Sequence, residues 1–249
     1  IQNKINRFKQ LRVNTVNEME DTRREFLKMI SHELRTPLTS IYGSTEMLMK
    51  TLPNVPDNVT TQLFTLLRSG TKRMKVLIER IVSLVQVESG KLKEQYDANP
   101  EVDSLNEVAQ RVLEAYVLQD EAKQVNFIRD PNKVTIKTIR PFMELVVNEL
   151  VHNADRYSHE DNIITVDVSS SDGHASIAVK DQGFGIDDTL MHQLQHDLAD
   201  TSSSYLKGGG IGVGLVLVRE IVRIHEGTLE LTSEQGVGTT VTITLPAAS

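Results

Sequence analysis

The sequence has no cysteine and no tryptophan, and only 4% of its 249 residues are aromatic. Without cysteine there are no disulfides, no Cys-ligated zinc, no iron–sulfur clusters and no thiol nucleophile, a composition suited to a reducing cytosol. So few aromatic rings leave little material for stacking nucleic-acid bases. No run of 18 apolar residues exists, so nothing has the make-up of a membrane-spanning helix. There is no signal peptide and the first residue is Ile1, not Met. We therefore expect a cytoplasmic fragment of a longer protein, with any membrane anchor upstream. Seven prolines and fourteen glycines exclude collagen-like and low-complexity classes, and 39% apolar residues suffice for a core.

The net charge of -7 is unevenly spread. Residues 1–90 hold 14 Lys/Arg against 9 Asp/Glu, and residues 91–249 hold 13 against 25. The break near residue 90 suggests two units. An acidic second unit argues against DNA or RNA as a partner. If it binds a polyanionic nucleotide, it needs a cation and local N–H donors.

The first unit reads as helical. Leu27, Ile30, Leu34, Leu38, Ile41, Thr45, Leu48 and Leu52 recur at spacings of 3 and 4. After the breaker cluster Leu52–Asn58, the residues Leu63, Leu67, Gly70, Met74, Leu77, Ile81 and Leu84 do the same. A seven-residue repeat on each side of a turn predicts an antiparallel helical hairpin. One hairpin with a narrow apolar stripe needs a partner, and a homodimer forming a four-helix bundle supplies it. Beyond Ser89-Gly90, helical periodicity covers Leu105–Tyr116, Phe142–Tyr157 and Leu215–His225. Strand-like runs are Val125–Ile128, Val134–Ile136, Ile163–Val168, Ala175–Val179, Thr228–Thr232 and Thr239–Leu245. This order predicts an α/β sandwich with a mixed sheet. Asp187–Gly209, polar and ending in glycines, reads as a long mobile loop.

Three places carry chemistry. In Ile30-Ser31-His32-Glu33-Leu34-Arg35-Thr36-Pro37-Leu38, His32 lies roughly 200° from the apolar stripe and faces solvent. Glu33 can hold one ring nitrogen and make the other a better nucleophile. Pro37 removes a helix hydrogen bond to the carbonyl of Glu33 and can kink the helix there. In Asn148–Ser158, Glu149 and Asn153 are four apart, a carboxylate and an amide oxygen suited to Mg²⁺. Arg156 can reach a phosphate and Tyr157 can offer an aromatic wall. His152 reads as an ordinary polar residue. In Asp181-Gln182-Gly183-Phe184-Gly185-Ile186, the carboxylate can accept from an exocyclic amine such as adenine presents, and Gly183 and Gly185 permit close backbone approach or positive φ. The run Gly208–Leu215 lies directly before a helix, so its backbone N–H groups and the helix dipole favour phosphate. The P-loop pattern and the H-R-D and D-F-G elements of conventional kinases are absent.

Ser31–Leu38 closely resembles the phosphoacceptor box of two-component sensor histidine kinases. The resemblance implies that His32 is phosphorylated on a ring nitrogen, that Glu33 is the general base, and that Glu33 with Thr36 positions water to dephosphorylate a partner regulator. Asn148–Ser158, Asp181–Ile186, Gly208–Leu215 and Gly236–Thr240 resemble, in order and spacing, the N box, two glycine boxes and terminal Gly-x-Gly-Thr element of the Bergerat-type ATP-binding domain. That likeness implies Mg²⁺ on Asn153, adenine on Asp181, and phosphates near Gly210, Gly212, Gly214 and Leu215, with Thr239 in the terminal element. Glu149 stands where many histidine kinases carry Asn and the wider superfamily a catalytic Glu. Asp187–Gly209 lacks the Phe of the usual aromatic box, leaving Leu190, Leu194, Leu198 and Tyr205 as substitutes, and Ile211 replaces a small polar residue.

The expected layout is a signalling coiled-coil linker at 1–25, a dimerisation and histidine phosphotransfer domain at 26–90, a linker at 91–102 and an ATP-binding domain at 103–249. The expected activity is ATP- and Mg²⁺-dependent phosphorylation of His32, with onward transfer to an aspartate of a response-regulator receiver domain. Dephosphorylation of that regulator is a second expected activity. A sensor upstream of the fragment would supply the signal. The alternatives are a Bergerat-type ATPase, a predominantly phosphatase member and a non-catalytic dimeric scaffold.

Overall fold

The computed structural model describes residues 34–48, 57–118, 123–132, 134–159, 161–199 and 213–248, with main chain only at 57, 58, 88 and 196–199. The expectations for residues 1–33, for most of the turn at 52–58 and for 201–212 fall outside these. The described residues divide into two compact units, one within 1–83 and one within 84–249.

In the first unit, residues 34–48 form helix α1 and Asp57–Glu88 begins as α2 and runs on past its boundary. Leu63, Gly70, Leu77 and Leu84 are buried, one every seven residues. A Cβ placed on Gly70 would lie 2.8 Å from Cγ1 of Ile41 and 3.2 Å from the carbonyl oxygen of Pro37, so the lack of a side chain at Gly70 lets the helices approach there. A second apolar stripe remains open. Phe64, Ile78 and Val85 share the same seven-residue register one position on, and all are exposed, as are Leu38 and Tyr42 on α1.

The second unit is a two-layer sandwich. Its five-stranded sheet has the order β2(Val125–Ile128), β4(Ile164–Ser171), β5(His174–Lys180), β7(Gly238–Pro246), β6(Thr228–Glu234). The β2–β4 pair is parallel and the others antiparallel, so the sheet is mixed as expected. Burial alternates with period two: Ile164, Val166 and Val168 on β4, Ala175, Ile177 and Val179 on β5, and Ile243 and Leu245 on β7 point inward. The opposite face of β7 carries Thr240, Thr242 and Thr244, none of them buried, which is the pattern of a sheet covered on one side only. The covering layer is α4(Leu105–Val117), α5(Arg140–Tyr157) and α7(Val213–Ile224), with α5 between the other two. A positive-φ pair, Asp172-Gly173, closes the β4–β5 hairpin in the mirror-image turn that suits twisted strands.

Two expectations change. Residues 91–102 hold helix α3(Lys91–Ala98), with Leu92 fully buried, and then begin strand β1(Glu101–Ser104), which pairs antiparallel with β3(Thr135–Thr138). The stretch expected as a loop from Asp187 begins with helix α6(Asp188–Ala199). Asp187 caps it, its Oδ1 accepting the N–H of Leu190 at 3.1 Å, and Leu190 and Leu194 fall one turn apart, with Leu194 buried. The polar composition hid that short helix.

His225, at the end of α7, is buried and ties three elements together. Its Nδ1–H donates to the carbonyl of Ile221 at 2.7 Å, so Nε2 accepts from the Thr138 hydroxyl at 3.0 Å. The Tyr96 ring of α3 packs on it at 4.7 Å. Burial holds the His225 imidazole below its usual pKa, and the Ile221 carbonyl only partly opposes this.

Candidate active site

The site grows from one helix end and one strand end. Helix α5 starts with Arg140-Pro141, where proline's missing N–H costs nothing, and ends at Ser158, whose N–H bonds the Ala154 carbonyl at 3.2 Å. Along it Glu149 is wholly buried, Asn153 half-buried, and Arg156 and Tyr157 exposed. The Arg156 guanidinium lies 5.4 Å over the Tyr157 ring, so these two form a stacked rim.

Strand β5 delivers Asp181 beside that helix end. The Asp181 N–H donates to the Thr239 carbonyl at 2.9 Å. Its Oδ1 accepts from the N–H of Gly183 at 2.8 Å and of Thr239 at 3.2 Å, while Oδ2 accepts no hydrogen bond among the described residues. Burial pushes this carboxyl above the usual carboxylate range, and the two N–H groups and the Lys123 ammonium oppose the rise. An acceptor oxygen at the edge of a buried carboxylate is the group a nucleobase amine needs.

The glycines here serve the protein's own backbone. A Cβ on Gly183 would stand 2.0 Å from the Tyr157 carbonyl oxygen, and one on Gly185 (φ 64°) 2.0 Å from that of Glu234. On Gly238 (φ 139°) it would stand 2.2 Å from the Asp181 carbonyl oxygen. Phe184 completes the joint, its N–H donating to Tyr157 O at 3.1 Å and its carbonyl accepting from Gly236 at 2.7 Å. Helix end, Asp181 loop and β6–β7 turn are thus locked main chain to main chain. Thr239 contributes through its backbone, its hydroxyl being bonded to Ser233 Oγ at 2.9 Å.

Of the remaining expected residues, Gly214 is buried and Leu215 half-buried in the first turn of α7, and Thr36 is exposed on α1 beside buried Pro37. His32, Glu33, Gly210 and Gly212 lie outside the described residues. Asn153 and Glu149, one turn apart on α5, are oxygen donors of the kind that Mg²⁺ takes. Among the described residues no three His, Asp or Glu side chains are grouped to hold a metal by themselves.

One cluster was not anticipated. Lys123 Nζ donates to the carbonyl of Asp155, to the carbonyl of Ser158 at 2.9 Å and to its hydroxyl at 3.0 Å, and lies 3.6 Å from Asp155 Oδ1. Tyr116 bridges the group, its hydroxyl donating to Asp155 Oδ1 and accepting from the Lys123 N–H, both at 2.9 Å. Burial, chiefly, pushes the Tyr116 hydroxyl up to about 12. In the sequence Lys123 shows only as a charge before the strand-like run Val125–Ile128.

Two family models match. Residues 22–90 match "His Kinase A (phospho-acceptor) domain", and residues 138–249 match "Histidine kinase-, DNA gyrase B-, and HSP90-like ATPase". Sensor protein kinase WalK of Staphylococcus aureus is 32% identical over 238 residues, covering 92% of this chain and 55% of that protein. The same-named protein of Staphylococcus aureus strain Newman is also 32% identical, with 37% of its length covered. The chain thus spans about half or less of these relatives. Among solved structures, Acinetobacter baumannii histidine kinase AdeS shares the fold, with a TM-score of 0.61 at 21% identity over 88% of this chain and 98% of that one. No helix among the described residues is long and apolar enough to cross a membrane. A phosphoacceptor region followed by an ATPase region, each matched in its expected place, makes this chain a member of the sensor histidine kinases, carrying their catalytic core.

Proposed function

We propose that this chain phosphorylates its own His32 from ATP and passes the phosphoryl group to an aspartate of a response-regulator receiver domain. The observation that carries the reading is the Asp181 carboxylate, with Oδ1 fixed by two N–H groups and Oδ2 left to accept from the adenine amine. Arg156 and the glycine-rich run with Gly210, Gly212, Gly214 and Leu215 bind the phosphates. Asn153, with Glu149 one turn before it, would hold Mg²⁺, whose chemistry there would be to neutralise charge on the phosphate oxygens. A ring nitrogen of His32 attacks the γ-phosphorus, the bond to the ADP oxygen breaks, and Glu33 takes the ring proton. Thr36, exposed on α1, serves water-mediated dephosphorylation of the regulator.

The open stripe of Phe64, Ile78 and Val85 supports a second copy of the hairpin as the dimer partner. Within this reading, residues 26–90 form the phosphotransfer domain and 103–249 the ATP-binding domain, 1–25 bring a signal from upstream, and 91–102 lead from one to the other through α3 and the start of β1. The test is incorporation of label from γ-labelled ATP. His32→Gln should abolish acid-labile label and leave nucleotide affinity unchanged. Undiminished label in that variant would overturn the assignment.

A further inference from the structure

The Lys123 cluster is not accounted for by the phosphoryl-transfer scheme. Its ammonium has three protons, and three oxygens converge on it from one stretch of chain: Asp155 O, Ser158 O and Ser158 Oγ. Those oxygens cap the last turn of α5, where carbonyls lack helical partners and the helix dipole favours a cation. The segment they gather, Tyr157–Ser158, is the surface against which Gly183 packs with no room for a Cβ, and it accepts the Phe184 N–H. Gly183 in turn donates to Asp181 Oδ1. Lys123 therefore stands two steps from the nucleobase carboxylate, through backbone alone.

We propose that Lys123 is a positioning residue of the nucleotide pocket, resting on the ATP reading above: its ammonium fixes the α5 end that seats the Asp181 loop. The same charge opposes the burial that raises the Asp181 carboxyl. A lysine suits this role better than an arginine, because a tetrahedral ammonium can point three protons at oxygens bunched around one helix end. The titratable groups around the cluster are Tyr116 on α4, Asp155 and His152 on α5, and Asp181 after β5, the His152 ring standing edge-on to that of Tyr116 at 6.2 Å. The His159 ring lies 4.4 Å from that of Phe184, in edge contact.

The absence of any other cysteine makes a clean test available. Lys123→Cys, alkylated with 2-bromoethylamine in denaturant and refolded, regains an ammonium at nearly lysine length. Affinity for a fluorescent ATP analogue is followed from about pH 5 to about pH 8 in wild type, Lys123→Cys and the alkylated protein. The series is repeated in a His159→Gln background to remove that imidazole. Titration of the nucleotide's phosphates is common to all and cancels in the comparison.

Removing the ammonium raises the pKa of Asp181, so the acid-side loss of affinity should move to higher pH. At neutral pH the affinity of Lys123→Cys should fall about tenfold, and alkylation should restore both features. A uniform loss with an unmoved midpoint, or no loss, overturns the proposal. If Lys123→Cys does not refold, Ser158→Ala keeps the charge and removes one of its three acceptors. It should weaken binding about threefold without moving the midpoint, and unchanged affinity overturns the proposal. Wild type failing to bind the analogue would sink the ATP reading itself. Wild type binding normally while Lys123→Cys is indifferent would sink only the role of Lys123.

Discussion

The two units use glycine in opposite ways. In the helical unit, the nearest atom to a Cβ on Gly70 belongs to a side chain, Cγ1 of Ile41 at 2.8 Å, with the Pro37 carbonyl oxygen farther off at 3.2 Å. In the nucleotide unit, Gly183 lets main chain come near, and the carbonyl of Tyr157 belongs to a helix end that cannot yield. A bundle held by side chains can slide or repack, which suits a device that must respond to a signal. A pocket wall held by main chain cannot.

The comparison breaks first at these glycines. Gly183→Ala should cost about 3 kcal/mol or more by urea denaturation, because its Cβ meets backbone. Gly70→Ala should cost less, about 1–2 kcal/mol, because its closest contact is with one side-chain atom and the gain in helix propensity offsets part of the overlap. Equal losses would erase the distinction. A medium effect should appear on the open stripe: Ile78→Lys should shift sedimentation from dimer to monomer at micromolar protein while far-UV circular dichroism stays unchanged. A persistent dimer would show that the exposed stripe is not the mating face.

The smallest expected effect lies with His225. Its folded pKa is depressed, so the unfolded chain binds more protons as pH falls below the ordinary imidazole value near 6.5. Stability from this group is fully present above that pH and is lost below it. Melting should therefore fall by an amount equivalent to about 1 kcal/mol between pH 7.5 and 5.5, and His225→Gln should flatten that slope. A slope unchanged in the variant would assign the acid sensitivity elsewhere.

The strands of the sheet and the helices α4, α5 and α7 were legible because each shows its own period, two or 3.6, over enough residues. Helix α6 was not, because its few apolar positions sit among polar ones before a glycine-rich tail. Strand β1 was not, because Glu101–Ser104 offers four residues and no alternation. In the site, Asp181 and the close approach at Gly183 could be read from type and spacing. That Thr239, 58 residues away, supplies a second N–H to Asp181 Oδ1 depends on the pairing of β5 with β7. Lys123 escaped because its partners are chiefly carbonyl oxygens, which every residue carries and no side-chain pattern announces.

The main-chain lock around Asp181 also bears on the thermodynamics of binding. Its hydrogen bonds and glycine contacts are made within the protein, with no nucleotide needed to complete them. This wall gives up no conformational freedom when a base arrives, so its share of the ordering cost of association is small. If Asp181 reads the base as proposed, a purine fragment without phosphates would meet a surface already shaped, and discrimination between bases would rest on whether its edge can donate to one carboxylate oxygen.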